Sequence, residues 1–232
     1  FGVLRTLEDI EAVGHRVVHG AEEFVCSQLI TDEVVAQLER CSVFAPLHNP
    51  ANILGIKAVS EALPEVPQVG VFDTAFHQTM PSYAYMYALP YEYYEKYGIR
   101  RYGFHGTSHK YVSAKGAKFA GLDLNYSKII TCHLGNGSSI AAVVNGKSID
   151  TSMGFTPLEG LIMGTRCGNV DPDVVTYLQD KEGLSASEMS KVLNKKSGFL
   201  GLSQVSSDAR DLNDAANEGD AKAKLVLKKL TY

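Results

Sequence analysis

The residues best suited to chemistry sit in a glycine-rich turn, Gly135-Asn136-Gly137-Ser138-Ser139. It lies between two short runs of β-branched residues, Lys128 to Leu134 and Ile140 to Val144. Such runs read as strands, which puts the turn at the tip of a strand pair. Its two glycines leave the backbone free to take positive φ and let a bulky group come close. N–H groups and two hydroxyls with no bulk around them suit an oxyanion, most often phosphate. Alone, a Gly-Asn-Gly stretch is more simply a hairpin turn. Downstream, Thr151-Ser152-Met153-Gly154 and Gly164-Thr165-Arg166 add small polar residues and a cation, which favours a phosphoryl site.

Three more candidates are scattered along the chain. Arg16 belongs to Gly14-His15-Arg16-Val17-Val18-His19-Gly20, a short strand bounded by glycines. Its period-2 alternation puts Arg16 and Val18 on one face and His15, Val17 and His19 on the other. An arginine beside a valine at a strand end would grip a small anion with a short apolar tail. From this segment alone, a surface arginine is the plainer reading. Asp73 follows the strand Gln68 to Phe72, at the carboxyl end where α/β proteins hold ligands. His105, flanked by Gly106, has little to pack against. A ligand-facing ring and a helix-capping turn histidine are about equally supported.

The elements that must position these residues are partly readable. Residues 4–13 resemble a helix end. Thr31 caps a helix running to about Arg40. Asn49-Pro50 supplies a cap and first turn for a helix carrying Ile53, Leu54, Ile56, Val59 and Leu63. Gly103 to Gly106 opens a helix through Thr107-Ser108, and Asn145-Gly146 turns the second strand into a third. Asp171-Pro172 begins a helix. Ser185-Ala186-Ser187-Glu188 is a capping box for another, ended by Gly198. Eight tyrosines within residues 81–102 read as a packed wall or interface rather than a platform for stacking bases.

Composition narrows the class. With 232 residues, 45% of them hydrophobic, the chain can bury one large core or two smaller ones. A formal net charge of −4 argues against nucleic acid or an anionic membrane as the main partner. No apolar run is long enough to span a bilayer and no signal peptide is visible. Cys26, Cys41, Cys132 and Cys167 lack metal-type spacing and read as buried or half-buried thiols of a reducing cytoplasm, Cys132 as core packing. The chain starts at Phe1 without methionine and stops just after the amphipathic run Ala221 to Leu230. It therefore reads as an internal piece of a longer protein.

Seven segments in order, GHRVVHG, APLHNPAN, VFDTAFHQTMP, RRYGFHGTSHKYV, HLGNGSSI, GKSIDTSMGFTPLEGLIMGTRCG and SSDARD, together resemble the acetate kinase family. Each motif is moderately specific, the ordered set highly so, and it spans about Gly14 to Asp211. The resemblance implies an α/β fold of two ribonuclease-H-like domains of the sugar kinase/actin type, incomplete at both ends. The division it implies is 1–76, the acceptor side, and 77–232, for nucleotide binding and dimerisation. It implies reversible transfer of the γ-phosphoryl group of ATP to acetate, with Mg2+ (or Mn2+), in a cytoplasmic homodimer. Alternatives are a paralogue preferring propionate or butyrate, or one using pyrophosphate, or a catalytically incomplete nucleotide-binding piece.

Carried over motif by motif, the resemblance gives Arg16 and Arg166 the acetate carboxylate and phosphoryl oxygens, and His105 a hydrogen bond to the transferring group. Asp73 becomes the catalytic aspartate. Val18, Leu47, Phe104 and Pro157 become the methyl pocket, with His48 near the acceptor. His133, Leu134, Gly135, Asn136 and Gly137 would line the ATP phosphates, and Asp208, Ala209 and Arg210 would contact adenosine. The resemblance places the family's first phosphate-contacting strand before Phe1, and its adenosine loop and metal-binding glutamate after Tyr232. No metal ligand is therefore expected here, apart from Asp73 acting through water. Ala21 and Asn169 depart from the family's usual glycine and aspartate. A carboxylate acceptor with a pKa of about 4 is already ionised at neutral pH and needs no general base. Asp73 is thus expected to hold a metal-bound water or to orient an arginine.

Overall fold

The computed structural model describes residues 6–45 and 48–232. Leu47 lies outside the described residues. The chain is mixed α/β and divides into two compact units. The first runs to Thr131 and adds Ala141–Thr151; the second comprises Cys132–Ile140 and Ser152–Tyr232.

The first unit begins with a single 3-10 turn at Leu7–Asp9, where a helix end was expected. There follow β1 (Val13–Val17), β2 (Gln28–Leu29), α1 (Asp32–Cys41), α2 (Asn49–Ala62) and β3 (Gln68–Phe72). β3 is central: β1 pairs with it in parallel, Arg16 opposite Val71 and Val17 opposite Phe72, and β2 pairs antiparallel. Val17, Phe24, Leu38, Ile53, Ile56 and Phe72 form the core between the sheet and its helices. The rings of Phe24 and Phe72 stack at 4.2 Å, a pairing worth roughly 0.5–1.5 kcal/mol beyond its buried area.

Thr31 caps α1 as expected, its Oγ1 accepting from the Val34 N–H at 3.3 Å. Asn49 does not cap α2. It is the buried first residue of that helix, and its amide pairs with the backbone of His19, donating to the carbonyl at 2.9 Å and accepting from the N–H at 3.2 Å.

A 3-10 turn at Ala75–Thr79, α3 (Ser82–Tyr85), α4 (Glu92–Tyr97) and α5 (Gly106–Phe119) continue the unit. The boundary expected between residues 76 and 77 falls inside that 3-10 turn, whereas compactness divides the chain elsewhere. Of the tyrosines, Tyr102 is buried, while Tyr83, Tyr91, Tyr93 and Tyr97 are exposed. Arg100 anchors the segment: it is buried, pairs with Glu22, and lies 3.5 Å from the Tyr85 ring centroid.

β4 (Lys128–Leu134), β5 (Ser138–Val144) and β6 (Lys147–Thr151) form a second sheet in that order, and β4 and β5 each run through both units. Asn145 and Gly146 both take positive φ, as a tight two-residue hairpin requires. β4 is an edge strand, and Cys132 on it is exposed; Cys26 is exposed too, which corrects the buried reading of both.

The second unit adds α6 (Pro172–Glu182), α7 (Ala186–Lys195), α8 (Gly198–Ser203), α9 (Ala209–Asn217) and α10 (Ala221–Thr231). Ile162, Phe199, Leu212, Ala216, Ala223 and Val226 form its core. The Ser185–Glu188 capping box is present. Gly198 does not end α7, which stops at Lys195. It opens α8 at φ +65°, where a Cβ would collide with the Met163 carbonyl.

Candidate functional site

In the first unit the parallel register brings Arg16 beside Asp73. The Asp73 N–H continues the ladder to the Val17 carbonyl at 2.9 Å, and the chain then turns. The buried Asp73 carboxylate accepts from Arg16 Nε at 3.0 Å and Nη2 at 2.6 Å. This fork holds the largely exposed guanidinium and raises its pKa, chiefly through the hydrogen bond. A guanidinium carries five N–H groups. With two on Asp73, three remain on the outer edge, the edge that grips a carboxylate or phosphoryl group through two oxygens.

His105 meets this pair through its backbone. It takes φ +57° at the N-terminus of α5, and its N–H points to Asp73 Oδ2 at 3.4 Å. The next N–H, of Gly106, donates to the Asp73 carbonyl at 2.9 Å. A Cβ at Gly106 would collide with that carbonyl, so only glycine allows the approach. Phe104 is buried and Val18 half-buried. His48 is exposed at the N-terminus of α2. Arg16, Asp73, His105, Val18 and Phe104 therefore share the first unit.

In the second unit the Gly135–Gly137 turn borders a cavity of about 390 Å³ lined by Leu134, Gly135, Asn136, Ser138, Phe199, Ser207, Asp208, Ala209 and Leu230. That volume falls in the range of ligand pockets. Five of the sequence candidates meet here. His133, Gly137 and Arg210 stand outside the lining, and Arg210 instead grips Asp208 through Nη2 at 2.6 Å. Hydrogen bonds from the Arg210 side chain and backbone hold the Asp208 carboxyl down to about 2. Gly135 does not take positive φ; the glycine that matters is Gly164, whose N–H donates to the Asn136 carbonyl at 3.1 Å. A Cβ at Gly164 would run into Asn136 Oδ1.

Arg166 is half-buried and donates through Nη1 to the Pro157 carbonyl at 3.1 Å. Burial lowers its pKa, and among the described residues no carboxylate pairs with it. Pro157 and Arg166 thus share the second unit. Phe199, Ser207 and Leu230 were missed as site residues. Ser207 lay within the SSDARD motif, but Phe199 and Leu230 carry only a core-packing signal. Among the described residues no three His, Cys, Asp or Glu side chains converge as metal ligands, and both Asp73 oxygens are engaged by Arg16.

An aspartate-braced arginine thus stands at the carboxyl end of a parallel strand in the first unit, and a glycine turn borders a ligand-sized cavity in the second, within a mixed α/β chain. The Acetokinase family profile matches residues 1–232. The acetate kinases of Carboxydothermus hydrogenoformans and Thermoanaerobacter pseudethanolicus are 63% and 64% identical over all 232 residues of the chain, which spans 58% of each. The crystal structure of the Porphyromonas gingivalis acetate kinase superposes with a TM-score of 0.95 at 55% identity, covering 99% of this chain and 57% of that one. A propionate kinase from Francisella tularensis superposes at 0.93 with 52% identity, covering 97% of this chain and 58% of that one. The chain belongs to the acetate kinase (Acetokinase) family.

Proposed function

We propose that the chain carries the acceptor and phosphate machinery of an acetate kinase, which moves the γ-phosphoryl group of ATP to acetate and gives acetyl phosphate and ADP. The observation that carries this is the Arg16 fork: a buried carboxylate, met by the N–H of the left-handed His105, pins a guanidinium whose outer edge stays available. Phosphoryl transfer asks mainly that two anions be positioned in line and their charge offset. Arg16 and Arg166 bind the acetate carboxylate and phosphoryl oxygens, and His105 hydrogen-bonds the transferring group. Asp73 orients Arg16 and takes no proton, because the acceptor is already ionised. The family resemblance assigns the methyl group to Val18 and Phe104 of the first unit and Pro157 of the second, together with Leu47, which lies outside the described residues, and sets His48 near the acceptor.

The nucleotide half is Leu134, Gly135, Asn136, Asp208 and Ala209 around the cavity, with His133, Gly137 and Arg210 at its margin. We assign residues 1–76 to the acceptor side and 77–232, which also carries Phe104, His105, Pro157 and Arg166, to the nucleotide and the homodimer contact, for which the exposed tyrosines of 83–97 are candidates. A divalent ion, Mg2+ or Mn2+, arrives with the nucleotide phosphates. No described helix is long and apolar enough to cross a membrane, and we place the protein in the cytoplasm.

The chain spans 58% of the relatives it matches, so we expect no turnover from it alone. The test grafts its 232 residues in place of the matched segment of the Carboxydothermus hydrogenoformans acetate kinase. Hydroxylamine-trapped acyl phosphate then forms with ATP and acetate; its absence from a folded graft contradicts the proposal. The likeness to a propionate kinase favours a second reading, preference for propionate. One methylene changes selectivity by only ~1–3 kcal/mol, so both acids react and their kcat/KM ratio separates the readings.

A further inference from the structure

We propose that His77 is a positioning residue for His105, holding it in its left-handed conformation through the carbonyl of Phe104. His77 is fully buried one short turn past Asp73. Its Nε2 lies 2.9 Å from the Phe104 carbonyl oxygen and its Nδ1 lies 2.8 Å from Ser148 Oγ on β6. A carbonyl oxygen only accepts, so Nε2 carries the proton and Nδ1 accepts from the serine hydroxyl. Burial, the dominant influence, pushes the imidazole down to about 4, so it is neutral near pH 7. Asp73, whose charge pulls the other way, and the ring of His109 at 5.7 Å are the titratable groups that face it. Ser148 is itself fixed, its carbonyl accepting from Thr79 Oγ1 at 2.7 Å.

His105 is a non-glycine residue at positive φ, a conformation that persists only where its surroundings over-determine it. Three hydrogen bonds on two successive peptide groups supply that constraint. The Phe104 carbonyl is held by His77, the His105 N–H by the Asp73 carboxylate, and the Gly106 N–H by the Asp73 carbonyl. The backbone also approaches the His77 ring closely at Gly103. Gly103 takes φ +74°, and a Cβ there would strike Thr151 and come within 2.8 Å of the His77 ring. His77 touches no proposed substrate group; it acts on the direction of the His105 ring. The catalytic meaning rests on the function proposed above, whereas the conformational claim does not.

The test uses the 232-residue chain, labelled for NMR, with His77→Gln, whose amide N–H replaces that on Nε2, and His77→Leu, which fills space without donating. In the unsubstituted chain His77 gives the neutral Nε2–H tautomer from pH 5.5 to 8. In His77→Gln the His105 Cα and Cβ shifts stay left-handed, and inorganic phosphate still moves its ring resonances. In His77→Leu the shifts leave that region and phosphate binds about tenfold more weakly, the size of one lost hydrogen bond. ADP-induced shifts at Asn136 stay unchanged in both. An Nδ1–H tautomer, titration of His77 above pH 6, or left-handed His105 shifts retained in folded His77→Leu overturns the proposal. If His77→Leu does not fold, displaced His105 shifts in folded His77→Gln overturn it and unchanged ones support it. Failure of phosphate to move His105 in the unsubstituted chain counts against the proposed function alone.

Discussion

Asp73 gives both carboxylate oxygens to Arg16, and this defines what it can do. A carboxylate so engaged is a brace. In the grafted enzyme Asp73→Asn should lower kcat/KM by about 1–3 kcal/mol, the cost of removing a charge-assisted partner, with no new or lost pH break near the acceptor's pKa. A kcat/KM that rises with pH and loses that rise in Asp73→Asn would instead make it a base. His77 gives the chain a pH response of its own. Its folded pKa of about 4 lies below the ordinary 6.5, so between these values the unfolded chain binds more protons. Stability is fully present above pH 6.5 and falls as pH drops toward 4, by up to about 3 kcal/mol. Urea unfolding across that window should show the fall, and His77→Gln should abolish it. Ala21 repays attention too. It takes φ +48°, where the family resemblance leads one to expect glycine. Relief of about 1–2 kcal/mol of strain in Ala21→Gly is offset by a lost buried methyl, about 0.8 kcal/mol, and by glycine's chain entropy. Ala21→Gly should therefore be near neutral in urea unfolding, whereas β-branched Ala21→Val should destabilise clearly.

At the scale of elements, local chemistry was readable and tertiary context was not. β3 occupies the residues expected of it, Gln68 to Phe72, and the Ser185 box and Asn145-Gly146 turn form as their residue types require. Each depends on contacts within a few residues. Cys132 was misjudged because a β-branched run looks the same in a central strand and in an edge strand, and β4 is an edge. Gly198 was misjudged because left-handed glycine both ends helices and lets a loop pass close to a backbone carbonyl; here the Met163 carbonyl decides. His77 carried no signal, since its partners lie 27 and 71 residues away. The glycine turn was legible in place but not in cause: the critical small residue is Gly164, against Asn136. Gly164→Ala should displace Asn136 and weaken ADP binding by about tenfold, ~1.4 kcal/mol, as calorimetry on the chain would record. Unchanged affinity would remove Asn136 from the nucleotide site.

At the scale of the whole molecule, each compact unit brings together part of the proposed site. The first gathers Arg16, Asp73, His105, Val18 and Phe104; the second gathers the cavity residues, Pro157 and Arg166. The ordered motifs revealed family and fold because their residues serve backbone geometry, as Gly106 and His105 do. Bringing together residues far apart in sequence, such as Arg16 bonded to Asp73, and Phe199 and Asn136 lining one cavity, needed the fold. The most direct measurement is the rate of trapped acyl phosphate formation from ATP and acetate by the grafted enzyme, with Arg16 intact and as Arg16→Ala. The account predicts turnover with Arg16 and a loss of about 10²–10³-fold in Arg16→Ala, the usual effect of removing one preorganised transition-state donor. Equal rates from the two folded proteins would contradict it.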